Sequence, residues 1–143
     1  MFFSEITDRG PTPALVHSLA FTQARLDVIA ENIANQQTPG YRAKQLDTAE
    51  FQGALRESVE VRERNPRAAF AVRGREVQTR TDGSLQVTPS ELPVEQVLFH
   101  DGTNVSLERQ MAELAETGLA HELAVTLLNG RMDSLRRVIR ETV

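Results

Sequence analysis

From Leu107 onward, the positions Leu107, Met111, Leu114, Gly118, His121, Val125, Leu128, Met132, Leu135 and Ile139 follow one another at alternating spacings of four and three. Only Gly118 and His121 are not large and apolar. That spacing gathers side chains on one stripe of an α-helix and describes a coiled-coil-like seam. At about 1.5 Å rise per residue the helix is roughly 50 Å long. Arg, Glu, Asp and Gln stand around the stripe, so it needs a second helix to cover it.

The other end of the chain supplies one. Leu15, Leu19, Thr22, Leu26, Ile29 and Ile33 repeat the pattern, with Thr12 as the expected N-cap and Pro13 at the first helical position. The run Asn32-Ile33-Ala34-Asn35-Gln36-Gln37-Thr38-Pro39-Gly40-Tyr41 then stops the helix. Pro39 fixes its own φ and crowds Thr38 out of the helical region, while Gly40 can take the positive φ of a type II turn. The helix is expected to end near Gln36 or Gln37. The fold class is therefore mainly α: an elongated pair of long N- and C-terminal helices forming a coiled-coil-like hairpin, with an irregular middle containing a small β-hairpin. The expected divisions are a flexible tail over 1–12, the first helix over 13–37, the turn and middle over 38–104, and the last helix over 105–143.

Within the middle, residues 76–88 read as a hairpin about Asp82-Gly83. A three-residue loop, Thr81-Asp82-Gly83, pairs Val77 with Val87 and Thr79 with Leu85, which gathers the apolar side chains on one face and puts Gly83 in the left-handed position. The stretch Gly53 to Arg80 carries Arg56, Arg62, Arg64, Arg67, Arg73, Arg75 and Arg80 against Glu57, Glu60, Glu63 and Glu76. It reads as a solvated segment, irregular or disordered until it meets a partner. An adaptor or regulator binding nucleic acid through these arginines is the alternative function. The formal net charge of −4 argues against it.

Chemistry finds little footing. His121-Glu122 has no second histidine four residues on, so the zinc-hydrolase spacing is absent, and His121 reads as a seam residue. His100-Asp101 precedes an expected turn and a helix start near Asn104 or Ser106, where such residues act as caps. His17 flanks the first seam. Gly118, in mid-helix, calls for a close helix contact or a bend. The chain has no cysteine, hence no thiolate site and no disulfide. No transmembrane run or cleavable signal is evident. The expectation is a protein that is not an enzyme and holds no catalytic, cofactor or metal site.

The run Leu26 to Tyr41, with Ile29-Ala30-Glu31-Asn32-Ile33-Ala34-Asn35 leading into Thr38-Pro39-Gly40-Tyr41, resembles the N-terminal signature of the bacterial flagellar axial proteins of rod and hook. The stretch Asp101-Gly102-Thr103-Asn104-Val105-Ser106-Leu107-Glu108-Arg109-Gln110-Met111-Ala112-Glu113-Leu114-Ala115 and the length of 143 residues are similar to a small proximal-rod subunit of that family. Asn65-Pro66-Arg67 resembles the family's mid-chain His-Pro-Arg element. Departures are the order Thr103-Asn104 for Asn-Thr, His121 for an aromatic, and Gln36-Gln37 for Ala-Asp.

The resemblance implies a cofactor-free building block of the flagellar rod, exported through the flagellar type III apparatus without a cleaved signal peptide and placed in the periplasm-spanning rod of the basal body. Implied partners are further copies, other rod proteins, an adaptor at the inner-membrane ring and the export gate, with no nucleic acid and no small-molecule substrate. The residues expected to carry assembly are the seam positions Leu15, Leu19, Leu26, Ile29, Ile33, Leu107, Met111, Leu114, Val125, Leu128, Met132, Leu135 and Ile139, and the turn residues Asn32, Asn35, Thr38, Pro39, Gly40 and Tyr41. Phe2 and Ile6, four apart, resemble the short hydrophobic gate-recognition element of exported rod and hook subunits.

Overall fold

The computed structural model describes residues 10–92 and 107–141. Along these the order is α1 (Thr12–Ala34), β1 (Lys44–Gln45), α2 (Thr48–Arg64), β2 (Val77–Thr79), β3 (Leu85–Val87), β4 (Ser90–Glu91) and α3 (Leu107–Glu141). Helices α1 and α3 pack as an antiparallel hairpin: Thr22 meets His121, Arg25 meets Glu113 and Asn32 meets Gln110. Gly10 lies against Arg131. The last turns of α3 therefore project past the start of α1 by about ten residues, or roughly 15 Å.

Two expectations for α1 need correction at its ends. Thr12 is the first helical residue, behind Pro11, and no side chain caps the helix. Thr12 is instead buried. The helix stops at Ala34, earlier than Gln36: Asn35 leaves the helical region at φ −102° and ψ 10°, and the Gln36 N–H turns to the Ile33 carbonyl, three residues back.

The middle is not irregular throughout. It contains α2, opened by Asp47, whose carboxylate accepts from the N–H groups of Ala49 and Glu50 at 2.9 and 3.1 Å. Asn65-Pro66 closes it, since a proline cannot supply the next helical N–H. The alternating arginines and glutamates obscure a stripe of Phe51, Ala54, Leu55, Ser58 and Val59 at helical spacing. The hairpin β2–β3 has the expected register, Val77 with Val87 and Thr79 with Leu85, and Gly83 has φ +83°. Strand β4 returns antiparallel to β1, Gln45 opposite Ser90. Buried Glu76 joins these pieces, accepting from the Asp47 N–H at 2.7 Å and from the Ser90 hydroxyl.

This central unit packs on α1. Phe21 and Val28 from α1 enter one cluster with Leu46, Phe51, Phe70, Val72 and Val77. Phe21 and Phe51 stack with ring centroids 4.0 Å apart and planes within 3°. Helix α1 thus has two working faces, one toward α3 and one toward the middle, which explains why His17, Phe21 and Val28 are buried although they lie off the expected seam. Phe51→Ala should cost about 3–5 kcal/mol through the cavity it leaves, read as a lowered urea midpoint followed by circular dichroism.

His17 fastens the hairpin to α1. Its Nδ1–H donates to the Pro13 carbonyl at 2.8 Å, leaving Nε2 to accept from the Thr79 hydroxyl at 3.0 Å. The same Thr79 oxygen accepts from the Val72 N–H, and Phe70 presents its ring in an edge contact at 5.2 Å. Burial pulls the His17 pKa below 6.5, against the smaller opposing effect of the Pro13 carbonyl. The unfolded chain then binds the proton first, so His17 adds stability above about pH 6.5 that is lost as pH falls toward the folded-state pKa. The denaturation midpoint should drop between about pH 7 and pH 5.5. In His17→Gln it should drop less; equal slopes would show that the imidazole titrates alike in both states.

Candidate functional site

The turn after α1 is built around one amide. Asn32, buried between the helices, accepts at Oδ1 from the Tyr41 hydroxyl and the Lys44 N–H, both at 3.0 Å. Its Nδ2 donates to the Lys44 carbonyl at 2.7 Å and to Gln110 Oε1 at 3.3 Å. One side chain therefore joins the end of α1, the turn, strand β1 and the start of α3, and its hydrogen-bonding capacity is filled.

Around it, Thr38 donates to Asn35 Oδ1, and the Tyr41 N–H closes onto the Thr38 carbonyl at 3.2 Å across Pro39 and Gly40. Gly40 has φ +76°, and a Cβ added there would meet nothing within 4 Å. Only backbone strain, not crowding, selects glycine. Lys44 Nζ pairs with Glu31 at 2.7 Å. Burial, followed by the Glu31 charge, raises the Tyr41 pKa, which keeps the phenol a donor to Asn32.

The seam is displaced from the row read in the sequence. On α1, Ile29 is buried and Leu15, Leu19, Leu26 and Ile33 are half-buried. On α3 the covered positions are Gln110, Leu114, Thr117, His121, Ala124, Leu128, Arg131 and Leu135, again at alternating four and three. This row shares Leu114, His121, Leu128 and Leu135 with the expected one. It replaces Met111, Gly118, Val125 and Met132 by their preceding neighbours, and of these four Gly118 and Met132 are half-buried.

The physical reason is that α1 turns polar groups to the contact. Thr22 Oγ1 accepts from His121 Nδ1 at 2.9 Å while donating to the Ser18 carbonyl, and Asn32 reaches Gln110. Polar and small residues of α3 answer them, and Leu107, Met111, Val125 and Ile139 stay exposed. Gly118 has open space about it, so no close helix contact within the chain accounts for it.

Sequence reasoning missed Gln110, Lys44 and Thr117. It also missed an exposed apolar line, Leu119, Leu123 and Leu127, on the far side of α3, with Leu119 70% and Leu123 60% exposed. Its i, i+4, i+8 spacing is visible in the sequence, though the stronger neighbouring row draws attention first. The middle arginines do not form one free cationic face: Arg75 pairs with Glu50 and Glu76, Arg64 with Glu60, and Arg62 lies over the Phe70 ring. Phe2, Ile6, His100, Asn104 and Ser106 lie outside the described residues.

The clamp generates an ordering of effects. Asn32→Ala strands polar groups of Lys44 and Gln110 and should cost about 2 kcal/mol or more; Tyr41→Phe removes one hydrogen bond and should cost about 1 kcal/mol. Urea denaturation of the two variants checks it, and an Asn32→Ala no weaker than Tyr41→Phe would deny the amide its central place.

The family model described as Flagella basal body rod protein matches residues 16–42, the segment holding most of α1 and the Asn32 clamp. The flagellar basal body rod protein FlgB of Bacillus subtilis (strain 168) is 29% identical over 131 residues, covering 91% of this chain and 93% of its own length. FlgB of Escherichia coli (strain K12) is 27% identical over 123 residues, 81% of this chain and 83% of its own. FlgB of Salmonella typhimurium is 26% identical over 126 residues, with the same two coverages. With the family match on α1 and the turn, and similarity over most of its length, the chain is similar to the FlgB proteins of the flagellar basal body rod.

Proposed function

We propose that this chain is a structural subunit of the flagellar basal body rod that is exported as an unfolded chain by the flagellar type III apparatus, without a cleaved signal peptide, and joins the proximal rod by helix packing. The observation that carries the assembly reading is the exposure of α3. The intramolecular hairpin covers one stripe, yet Met111, Leu119, Leu123, Leu127, Val138 and Ile139 remain 45–70% exposed on other faces. Apolar residues spread over several sides of one helix fit a helix surrounded by neighbours. Contacts of a subunit with the next copy that do not close on themselves build a helical tube. The seam residues Leu15, Leu19, Leu26, Ile29, Ile33, Leu107, Met111, Leu114, Val125, Leu128, Met132, Leu135 and Ile139 serve this packing, within the chain or between chains.

The partners in this reading are further copies, other rod proteins and an adaptor at the inner-membrane ring, and the working place is the rod within the basal body. Phe2 and Ile6 serve the export gate. The turn residues Asn32, Asn35, Thr38, Pro39, Gly40 and Tyr41 set the direction of the chain leaving α1, so they matter to assembly and not to export.

Fractionation of cells lacking the native copy tests both halves. Gly40→Val forces a β-branched residue to φ +76°, a strain of about 1–3 kcal/mol. It should be secreted but absent from purified basal bodies, with motility lost; Gly40→Asn, which tolerates that φ, should assemble. Phe2→Ala with Ile6→Ala should instead remain in the cytoplasm. Motile Gly40→Val cells would reduce the turn to a linker, and normal secretion of the double variant would remove Phe2 and Ile6 from export.

A further inference from the structure

One face of α3 is graded from end to end. Leu119, Leu123 and Leu127 stand on it one turn apart, 70, 60 and 51% exposed. Glu116 precedes them, and Gly130, Ser134 and Arg137 follow, all exposed and all within about 40° of Leu123 around the helix. Ala124, in the row that α1 covers, is turned away by about 100°, so the α1–α3 hairpin does not use this face. The order along it is one acid, three large apolar residues, two small ones and one base. We propose that this face pairs with the same face of a second copy, the two α3 helices antiparallel, in a closed two-fold dimer of the folded subunit.

Three features select this occupant and this direction. Turned end for end, the row complements itself: about a dyad between Thr126 and Leu127, Glu116 stands opposite the partner's Arg137, Leu123 opposite its Gly130 and Leu119 opposite its Ser134. The small residues form a notch fit for a leucine. A Cβ added to Gly130 would meet nothing within 4 Å, and Ser134 donates its hydroxyl back to the Gly130 carbonyl at 2.9 Å, so neither presents a polar side-chain group to the notch in want of a partner. Glycine weakens a helix interior, and a leucine of a second helix seated over Gly130 gives it a use.

The charges set the direction. Glu116 and Arg137 make no ion pair among the described residues, whereas Arg109 and Arg25 pair with Glu113 and Arg136 with Asp133. Residues 107–122 of α3 carry four acids and one base, and residues 123–141 two acids and four bases. An antiparallel pair lays each half on its opposite, while an in-register parallel pair sets Glu116 against Glu116 and Arg137 against Arg137.

The pairing is independent of the rod reading above, and its consequence rests on that reading. A dimer closed by two-fold symmetry offers this face to no third copy, so a subunit so paired is withheld from a tube that grows by open contacts.

Sedimentation equilibrium of the full chain should show a monomer passing to a dimer as concentration rises, and stopping there. Leu123→Glu should keep the chain monomeric with its circular dichroism unchanged, because Leu123 is exposed in the monomer. Glu116→Arg and Arg137→Glu should each weaken the dimer roughly tenfold, since each brings like charges together twice. Mixed in equal amounts, these two variants should dimerise with each other, and both substitutions in one chain should restore the pair. A monomer at every concentration overturns the proposal, as does a dimer indifferent to Leu123→Glu. Masses that grow beyond two copies overturn the closed pair, and single charge variants that dimerise as tightly as the unaltered chain overturn the antiparallel direction. Secretion and motility, which test the rod reading, enter none of these measurements.

Discussion

A single buried amide holds the ends of this molecule in register. Asn32 sits in the last turn of α1 and bonds to the first residue of β1 and to the start of α3. A residue with one donor pair and one acceptor suits that junction, because the backbone of Lys44 presents both an N–H and a C=O and needs both answered in a place largely closed to water. An apolar residue would leave them unpaired, and a carboxylate would have no donor for the carbonyl. The turn glycine, the tyrosine hydroxyl and the Glu31–Lys44 pair surround this junction, so a short run of sequence controls how the middle of the chain is laid against the helices.

Much of this was legible in the residues, and the failures have physical causes. The long helices and the hairpin announce themselves through period and turn chemistry: Leu85 and Val87 can share a face with Thr79 and Val77 in only one register, and Gly83 stands where that register needs it. Helix α2 was hidden because its exposed positions carry most of the charge of the segment. Its buried stripe includes alanine and serine, which add little to a hydropathy pattern but let Ser58 reach the Ala71 carbonyl. Half of the α3 seam was read in place, at Leu114, His121, Leu128 and Leu135, and the alternate positions one residue late. Two four-three rows that share every second position differ by a rotation of only about 50°. Which of them faces the partner depends on the partner, and α1 offers Thr22, Arg25 and Asn32 beside its leucines.

That choice affects strength. A seam of Gln110, Thr117, His121, Ala124 and Arg131 buries less apolar surface than one of Met111, Val125 and Met132 would, and the Thr117 hydroxyl is buried with no partner among the described residues. An unmade hydrogen bond of this kind costs about 1–3 kcal/mol. The hairpin of α1 and α3 is therefore the more polar of the two interfaces of α1. The other one holds the stacked Phe21 and Phe51 and the bridge from His17 to Thr79. The buried apolar cluster lies between α1 and the middle, and α3 is attached by leucines interleaved with polar contacts.

The overhang of α3 beyond Gly10 gives this asymmetry a direction. The hairpin is fastened at the Asn32 end and has no such clamp among the described residues at the other, like a pair of tweezers joined at one tip. Separation by fraying starts at the unclamped tip and becomes steeply harder toward the clamp. A subunit of this design can spread its arms to admit a neighbouring helix while the stacked phenylalanines stay together, so the end from which it is entered is written into the chain before any neighbour arrives.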